Sequence, residues 1–302
     1  MVTIAITGIT GILGRFIAEE LSTKDVTIRA WKRPQSDLTG FKVPIEWIDG
    51  DLLHEHTMLD LVDNADVVIH CALEHQANKY RDGEGDDIEN WLEKNVCGTL
   101  KLINKAYTHR VKKFICISSR AVYGDHCSRS VLYESSGCFP DSHYGALKLA
   151  IDGFVSSYGI GKKWQIASIR PTGIYAVTYP VEHSKWYELI KSILTNQKWA
   201  SNSGGTEVHG QDVAKIIWLL ISGQNDIAGA VYNCSDLYVT ESDVAKIAHS
   251  ICGIPYLFPQ TQNIKKAIMD CSNVDQLPFK FGGINLLNKT IEELVKHVRE
   301  NE

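Results

Sequence analysis

Tyr144-Gly-Ala-Leu-Lys148 sets a phenol and an ammonium four residues apart, a step that brings both to one face of a helix. A phenol with the ordinary pKa of about 10 needs about three units of depression, or about 4 kcal/mol, to act as a base near neutrality. An ammonium about 4 Å away supplies about that much at an effective dielectric near 20, and an oxidised nicotinamide would add further positive charge. Tyr144 is then expected to exchange a proton with a hydroxyl or carbonyl, while Lys148 stabilises the phenolate and holds a nicotinamide ribose. Such pairs also occur by chance on solvated helices, so the meaning of this one depends on the rest of the chain.

A second constellation lies near the amino terminus. Thr7-Gly8-Ile9-Thr10-Gly11-Ile12-Leu13-Gly14 separates a strand-like Val2 to Thr7 from a helical pattern at Phe16, Ile17 and Leu21. Glycines in that context let the backbone approach a pyrophosphate, whose charge sits against the N–H groups of the helix start. A tight turn that merely packs strand on helix is the alternative. Where an NAD-preferring site places a carboxylate, the second strand ends Arg29-Ala-Trp-Lys-Arg33-Pro34. Arg33 suits a 2′-phosphate through paired donors, which favours NADP(H) over NAD(H). The alternative is a solvated Lys32-Arg33 turn with NAD bound regardless. At the third strand end, Gly50-Asp51-Leu52 can offer a carboxylate to an adenine amino group.

These groups require a scaffold, and the apolar pattern describes one. β-branched runs at Val2 to Thr7, Val26 to Ala30, Ile45 to Ile48, Val67 to Cys71, Phe114 to Ile117 and Ile166 to Ile169 alternate with helical segments. Their nearly continuous hydrophobicity is that of strands covered on both faces. The expected fold is α/β, a doubly wound parallel Rossmann sheet with a smaller mixed α/β substrate domain at the carboxyl end. The boundary is placed at 1–171 and 172–302, with a return to the sheet near 207–234, around Val231 to Cys234.

Composition narrows the function classes. The 302 residues carry a net charge of -5, with basic residues in scattered pairs such as Lys112-Lys113, so nucleic acid is not expected as a partner. The longest apolar run, Ile216 to Ile221, is far short of the roughly 18 residues that span a bilayer. Eight cysteines without a C-x-x-C pair fit reduced thiols in a cytoplasmic protein. His54-Glu-His56 continues Thr57-Met58, with methionine where H-E-x-x-H needs its second histidine, and no metal site is expected.

Further motifs join the first two: Val68-Ile-His-Cys-Ala72, Asn95-Val-Cys-Gly-Thr99, Ser118-Ser119-Arg-Ala-Val-Tyr-Gly124, Arg170-Pro171, Val208-His-Gly-Gln-Asp-Val-Ala214 and Tyr232-Asn233. Together with the glycine loop and Tyr144/Lys148, this pattern resembles the extended short-chain dehydrogenase/reductase family, of the NAD-dependent epimerase/dehydratase type. The resemblance covers most of the chain. It implies that Ser119 hydrogen-bonds the reacting oxygen beside Tyr144, with Ser118 structural. Gly8, Thr10, Gly11, Ile12, Leu13 and Gly14 would hold the diphosphate. Cys71, Ala72 and Leu73 would run along the cofactor, Asn95 would lie near its nicotinamide ribose, and Pro171 with Thr172 near the carboxamide. Core filling by Cys71 and Ala72, and helix capping by Asn95, are the alternatives. The family also implies a homodimer through helices equivalent to Asn95 to Tyr107 and Ser142 to Tyr158.

Two departures bear on the reaction. Family dehydratases carry an Asp-Glu pair where this chain has Arg120-Ala121, so dehydration is not expected. Nucleotide-sugar enzymes usually have an arginine shortly before Val208; Ser203-Gly-Gly-Thr-Glu207 has none, and Glu207 would repel a diphosphate, although Lys185, Lys191 or Lys198 could serve instead. His75, Ser119, Arg120, Tyr144, Trp186 and His209 are the candidate substrate contacts. Tyr187 and Trp199 are read first as small-domain core. The expected function is NAD(P)-dependent hydride transfer between nicotinamide and a secondary alcohol or ketone of a sugar-like or polyhydroxylated molecule. An epimerase that oxidises and re-reduces one carbon is the alternative, and a non-enzymatic NAD(P)-sensing protein is a third reading.

Overall fold

The computed structural model describes residues 1–76, 79, 81–125, 130–199, 201, 203–254 and 267–300. Its strands are β1 (Val2–Thr7), β2 (Val26–Lys32), β3 (Ile45–Asp49), β4 (Val67–His70), β5 (Lys113–Ile117), β6 (Val131–Leu132), β7 (Gln165–Pro171), β8 (Gly173–Tyr175), β9 (Gly204–His209), β10 (Ala230–Cys234), β11 (Leu237–Thr240) and β12 (Ile268–Met269). Seven of them form one sheet in the order β10-β7-β5-β4-β1-β2-β3, and every pairing in it is parallel.

Strand side chains alternate between the two faces, and each face has its own core. Ile4 and Ile6 of β1 pack with Leu13, Ile17 and Leu21 of the helix Ile12–Leu21 and with Val213, Ile217 and Leu220 of the helix Gly210–Ser222. Ala5 and Val68 face the other way, onto Met58, Leu61, Leu102, Ile103, Ile151 and Val155, which come from the helices Glu55–Val62, Gly98–Thr108 and His143–Ser156. Helices on both faces make this a doubly wound α/β sheet.

The chain builds outward from β1 through β2 to β3, then crosses to β4 on the other side. The reversal between β1 and β4 is the switch point at whose carboxyl edge such sheets bind ligands. Gly8 stands there with φ +71°, and a Cβ on it would lie 2.7 Å from the Ala72 nitrogen. Glycine is required at this position both for its backbone angle and for the close approach of the two loops.

The carboxyl-terminal third is interleaved between layers. β8, β9 and β11 form a three-stranded sheet, with β8 parallel and β11 antiparallel to β9. Its core joins Tyr175, Tyr187, Ile190 and Val244 to Leu287, Ile291 and Leu294 of the helix Gly283–Glu300. Between β9 and β11 the chain returns to the large fold. The helix Gly210–Ser222 lies against the helix Ile12–Leu21, and β10 pairs with β7. β6 and β12 make a separate two-stranded ribbon.

Candidate active site

A cavity of about 1120 Å³ runs along the carboxyl edge of the parallel strands, from Arg33 and Ser36 at one end to Lys185 and Glu207 at the other. Gly8, Thr10, Gly11, Ile12, Leu13, Gly14, Arg33, Asp51, Leu52, Cys71, Ala72, Leu73, His75, Ser119, Arg120, Tyr144, Lys148, Pro171 and Thr172 all border it. Asn95, Trp186 and His209 are not among its lining residues.

The glycine loop forms a cradle at the amino end of the helix Ile12–Leu21, which has no side-chain cap. A Cβ on Gly11 would have just one neighbour within 4 Å, the Gly8 oxygen at 3.3 Å, whereas one on Gly14 would sit 2.6 Å from the Ile9 carbonyl carbon and closer still to the Gly8 oxygen. One glycine thus keeps space open and the other permits packing. A helix start without a capping side chain, facing a cavity across bare backbone, fits the diphosphate of a dinucleotide.

At the adenosine end, Arg33 Nη1 is 2.7 Å from Glu74 Oε2, and both side chains are substantially exposed. Lys32, one residue earlier, pairs with Asp49. Asp51 Oδ1 accepts from the backbone N–H groups of Leu53 and His54 and lies 2.8 Å from His54 Nδ1. Burial raises the pKa of this carboxyl, but those hydrogen bonds outweigh it and hold the group below its ordinary value. In this structure one Asp51 oxygen is therefore occupied in starting the helix Glu55–Val62.

Beneath the middle of the cavity, Thr7 Oγ1 lies 2.7 Å from His70 Nδ1, and His70 Nε2 lies 2.9 Å from Thr99 Oγ1. The Ala72 N–H donates to the same Thr7 oxygen. Burial first, and the Lys148 charge second, lower the pKa of His70 to about 3, so this imidazole is a neutral spacer joining β1, β4 and the helix Gly98–Thr108. The Cys71 thiol is pushed up to about 12 by burial and is not a nucleophile near neutrality.

The reacting end is built from β5 and the helix His143–Ser156. Ser119 Oγ accepts from the Ala121 N–H, capping the turn Arg120–Tyr123, and the Ser119 hydroxyl is near enough to the Tyr144 phenol to work against the rise of its pKa. Lys148 is 8% exposed and lies 5.8 Å from the centre of the Tyr144 ring. Its Nζ donates to the Ile117 carbonyl at 2.7 Å. Burial raises the Tyr144 pKa, and the opposing influences are the Ser119 hydrogen bond and the Arg81 charge. The Tyr144 phenol therefore carries its proton near neutrality.

Behind these residues lies a polar network that the sequence reading did not identify. Asp152, one helical turn beyond Lys148, accepts through Oδ2 from Ser118 Oγ at 3.0 Å and from Arg170 Nε at 2.9 Å. Arg170 Nη1 donates to the Tyr123 hydroxyl, which donates to Asn233 Oδ1. Ser118 thereby fixes the β5 end that carries Ser119. The i+4 step from Lys148 to Asp152 was the available sequence signal.

Three other candidates act outside the cavity. Asn95, 2% exposed, accepts from the Glu74 N–H and donates to the Glu74 and Trp91 carbonyls, so its amide shapes the loop after β4. It sits on a widened helical turn, Glu93–Cys97, of the kind that often marks functional positions. His209 caps the helix Gly210–Ser222 through Nδ1 and packs its ring on Phe16 and Tyr175. Burial lowers its pKa to about 4. Trp186 packs against Tyr175 with the rings tilted by 38°, beside the small-domain core. The feared charge of Glu207 is countered by Lys185, whose Nζ reaches both carboxylate oxygens at 2.6 Å.

The chain matches the model of the NAD dependent epimerase/dehydratase family over residues 4–235, and it belongs to that family. It is 27% identical over 214 residues to the dTDP-D-glucose 4,6-dehydratase of Mus musculus, a match covering 68% of this chain and 57% of that enzyme. It is 28% identical over 179 residues to the UDP-glucose 4-epimerase of Vibrio cholerae, covering 57% of this chain and 52% of the relative. The matches thus span little more than half of these relatives' length. Among solved structures, the fold is that of the UDP-N-acetylglucosamine 4-epimerase of Methanobrevibacter ruminantium M1, with TM-score 0.81, 19% identity and coverage of 100% and 99% of the two chains. A UDP-glucuronic acid 4-epimerase from Bacillus cereus in complex with NAD gives TM-score 0.78, 18% identity and 99% coverage of both chains. Among the described residues there is no group of three or more His, Cys, Asp or Glu side chains that could hold a metal, and no helix is long and apolar enough to cross a membrane.

Proposed function

We propose that the protein is an NAD(P)-dependent enzyme that moves hydride to and from a secondary alcohol or ketone carbon of a sugar-like substrate. The observation carrying this reading is that Ser119, Tyr144 and Lys148 border the same cavity as the glycine cradle. When bound, a nicotinamide dinucleotide supplies the hydride donor or acceptor. Its diphosphate would be held by the loop Gly8 to Gly14, and its nicotinamide half by Lys148, Pro171 and Thr172. Tyr144 gives its proton to a substrate carbonyl oxygen or takes it back from the alcohol, and Ser119 orients that oxygen.

Epimerisation is the second reading, and it is favoured by the epimerases among the relatives. Cofactor that survives purification supports epimerisation, whereas reversible binding with net consumption of NADPH supports a reductase. Dehydration is disfavoured, although dehydratases are among the relatives. Elimination of water needs an acid and a base beyond the hydride relay. Arg120 and Ala121 occupy the positions that would supply them, and Arg120 is tied to Asp125.

A preference for NADP(H) belongs to the same proposal, supported by Arg33 beside Ser36 on the cavity wall and by the absence of a carboxylate at the end of β2. Arg33→Glu is expected to weaken NADPH binding by at least about tenfold, with far less effect on NADH. Fluorescence titration with each nucleotide measures this, and equal weakening would remove Arg33 from the phosphate. A homodimer in the cytoplasm is also proposed, on the family pattern and the unpaired cysteine spacing. Light scattering is expected to give twice the 33.7 kDa chain mass, and a monomer at micromolar concentration contradicts it.

A further inference from the structure

Two guanidinium groups stand where Ser119 and Tyr144 meet. Arg120, 8% exposed and next to Ser119, donates through Nη1 to Asp125 Oδ1 at 2.7 Å. Arg81, on the loop after β4, donates through Nη1 to Asp125 Oδ2 at 3.0 Å. Both arginines border the cavity. Asp125 is set in place by its own N–H, which donates to Asp141 Oδ2.

The two guanidinium groups share the Asp125 carboxylate, Arg120 largely buried and Arg81 partly exposed. Among the described residues, the buried Arg120 Nε has no hydrogen-bond partner. A buried donor of that kind costs free energy until something accepts from it. Other charges nearby are already paired, Glu74 with Arg33 and Glu207 with Lys185. The loop acids Asp82, Glu84, Asp86 and Asp87 do not line the cavity. The unpartnered Arg120 Nε and the remaining Arg81 donors thus stand beside Ser119 on the cavity wall, and guanidinium forks match carboxylate and phosphate oxygens.

The geometry points to a substrate that carries a carboxylate or phosphate close to its reacting carbon, received by Arg81 and Arg120 with Asp125 as the spacer between them. This rests on the hydride-transfer reading and adds the charge class of the substrate. It also bears on the acid. Burial raises the Tyr144 pKa while the Arg81 charge opposes it, so an anion on Arg81 would offset that opposition and keep the phenol protonated.

Calorimetric titration of the wild-type protein with glucuronate, glucose 6-phosphate, glucose and UDP tests this without requiring turnover. At least one of the two sugar anions is expected to bind about tenfold or more tightly than glucose, and which one does so separates carboxylate from phosphate. Arg81→Gln, at a partly exposed position, should abolish that preference and leave UDP binding unchanged. Equal affinity for the three sugars, no measurable binding of either anion, or a preference that survives Arg81→Gln overturns the proposal. Loss of UDP binding in Arg81→Gln also overturns it, because the guanidinium would then serve a diphosphate. Tyr144→Phe should keep the anion preference, so failure of the proton relay and failure of the anion receptor are read separately.

Discussion

Tyr144→Phe is expected to lower turnover by about two to four orders of magnitude, the range that a positioned acid or base contributes, while cofactor affinity stays nearly intact. The substitution deletes one oxygen and keeps the ring that packs over Lys148. Ser119 still caps the turn through the Ala121 N–H, so the backbone that presents it should persist. The sign of the pH dependence follows from burial. With the phenol pKa raised above its ordinary value, Tyr144 carries its proton throughout the neutral range. Carbonyl reduction, which consumes that proton, should be flat with pH across the neutral range. The oxidative direction requires the deprotonated phenol in the free protein and should rise with pH over the same interval. Steady-state rates in both directions, on wild type and variant, check this. An unchanged rate in Tyr144→Phe would remove the proton relay and leave the cavity a binding site.

The parts of this site that were legible in the sequence are those in which one short segment carries both the chemistry and its own geometry. The glycine loop is such a segment, because a strand and a helix flank it within eight residues. Tyr144 and Lys148 are another, because four residues of helix fix their common face. What was lost depends on contacts between distant segments. The Lys148 ammonium donates to the Ile117 carbonyl, a partner supplied by a strand 31 residues earlier, and no spacing rule announces that contact. Arg81 and Asp125 are 44 residues apart, and neither sits in a motif. His209 and Trp186 looked like ligand contacts by residue type, yet both became small-domain packing around Tyr175. In the fold, the parallel strands announced themselves through apolar runs. β8 is three residues long, and β9 begins with two glycines. Neither has enough β-branched sequence to be read as a strand without its neighbours.

Gly11→Ala and Gly14→Ala should separate binding from folding within one loop. Position 11 has open space around it apart from the Gly8 oxygen, so an alanine methyl can be accommodated by a shift of a few tenths of an ångström. The folded chain should therefore keep its Tm to within a few degrees. That methyl stands at the helix start bordering the cavity, and it would hold a diphosphate away from the N–H groups there. Dinucleotide affinity should fall about tenfold or more, equivalent to at least about 1.4 kcal/mol. At position 14 the added methyl meets the backbone of Ile9 and Gly8 rather than a movable side chain. Overpacking against backbone costs about 1–3 kcal/mol or more, or about 2–4 °C in Tm per kcal/mol for a domain of this order of size. Because Ile9 and Leu13 belong to the core beneath β1, that loss should appear as a lower Tm even without nucleotide. Calorimetric scans with and without NADPH distinguish the two variants. Gly11→Ala should lose most of the nucleotide-induced rise in Tm from a near-normal baseline, and Gly14→Ala should start from a lowered one. A Gly11→Ala protein that binds nucleotide as wild type would show that the diphosphate does not lie against this helix start.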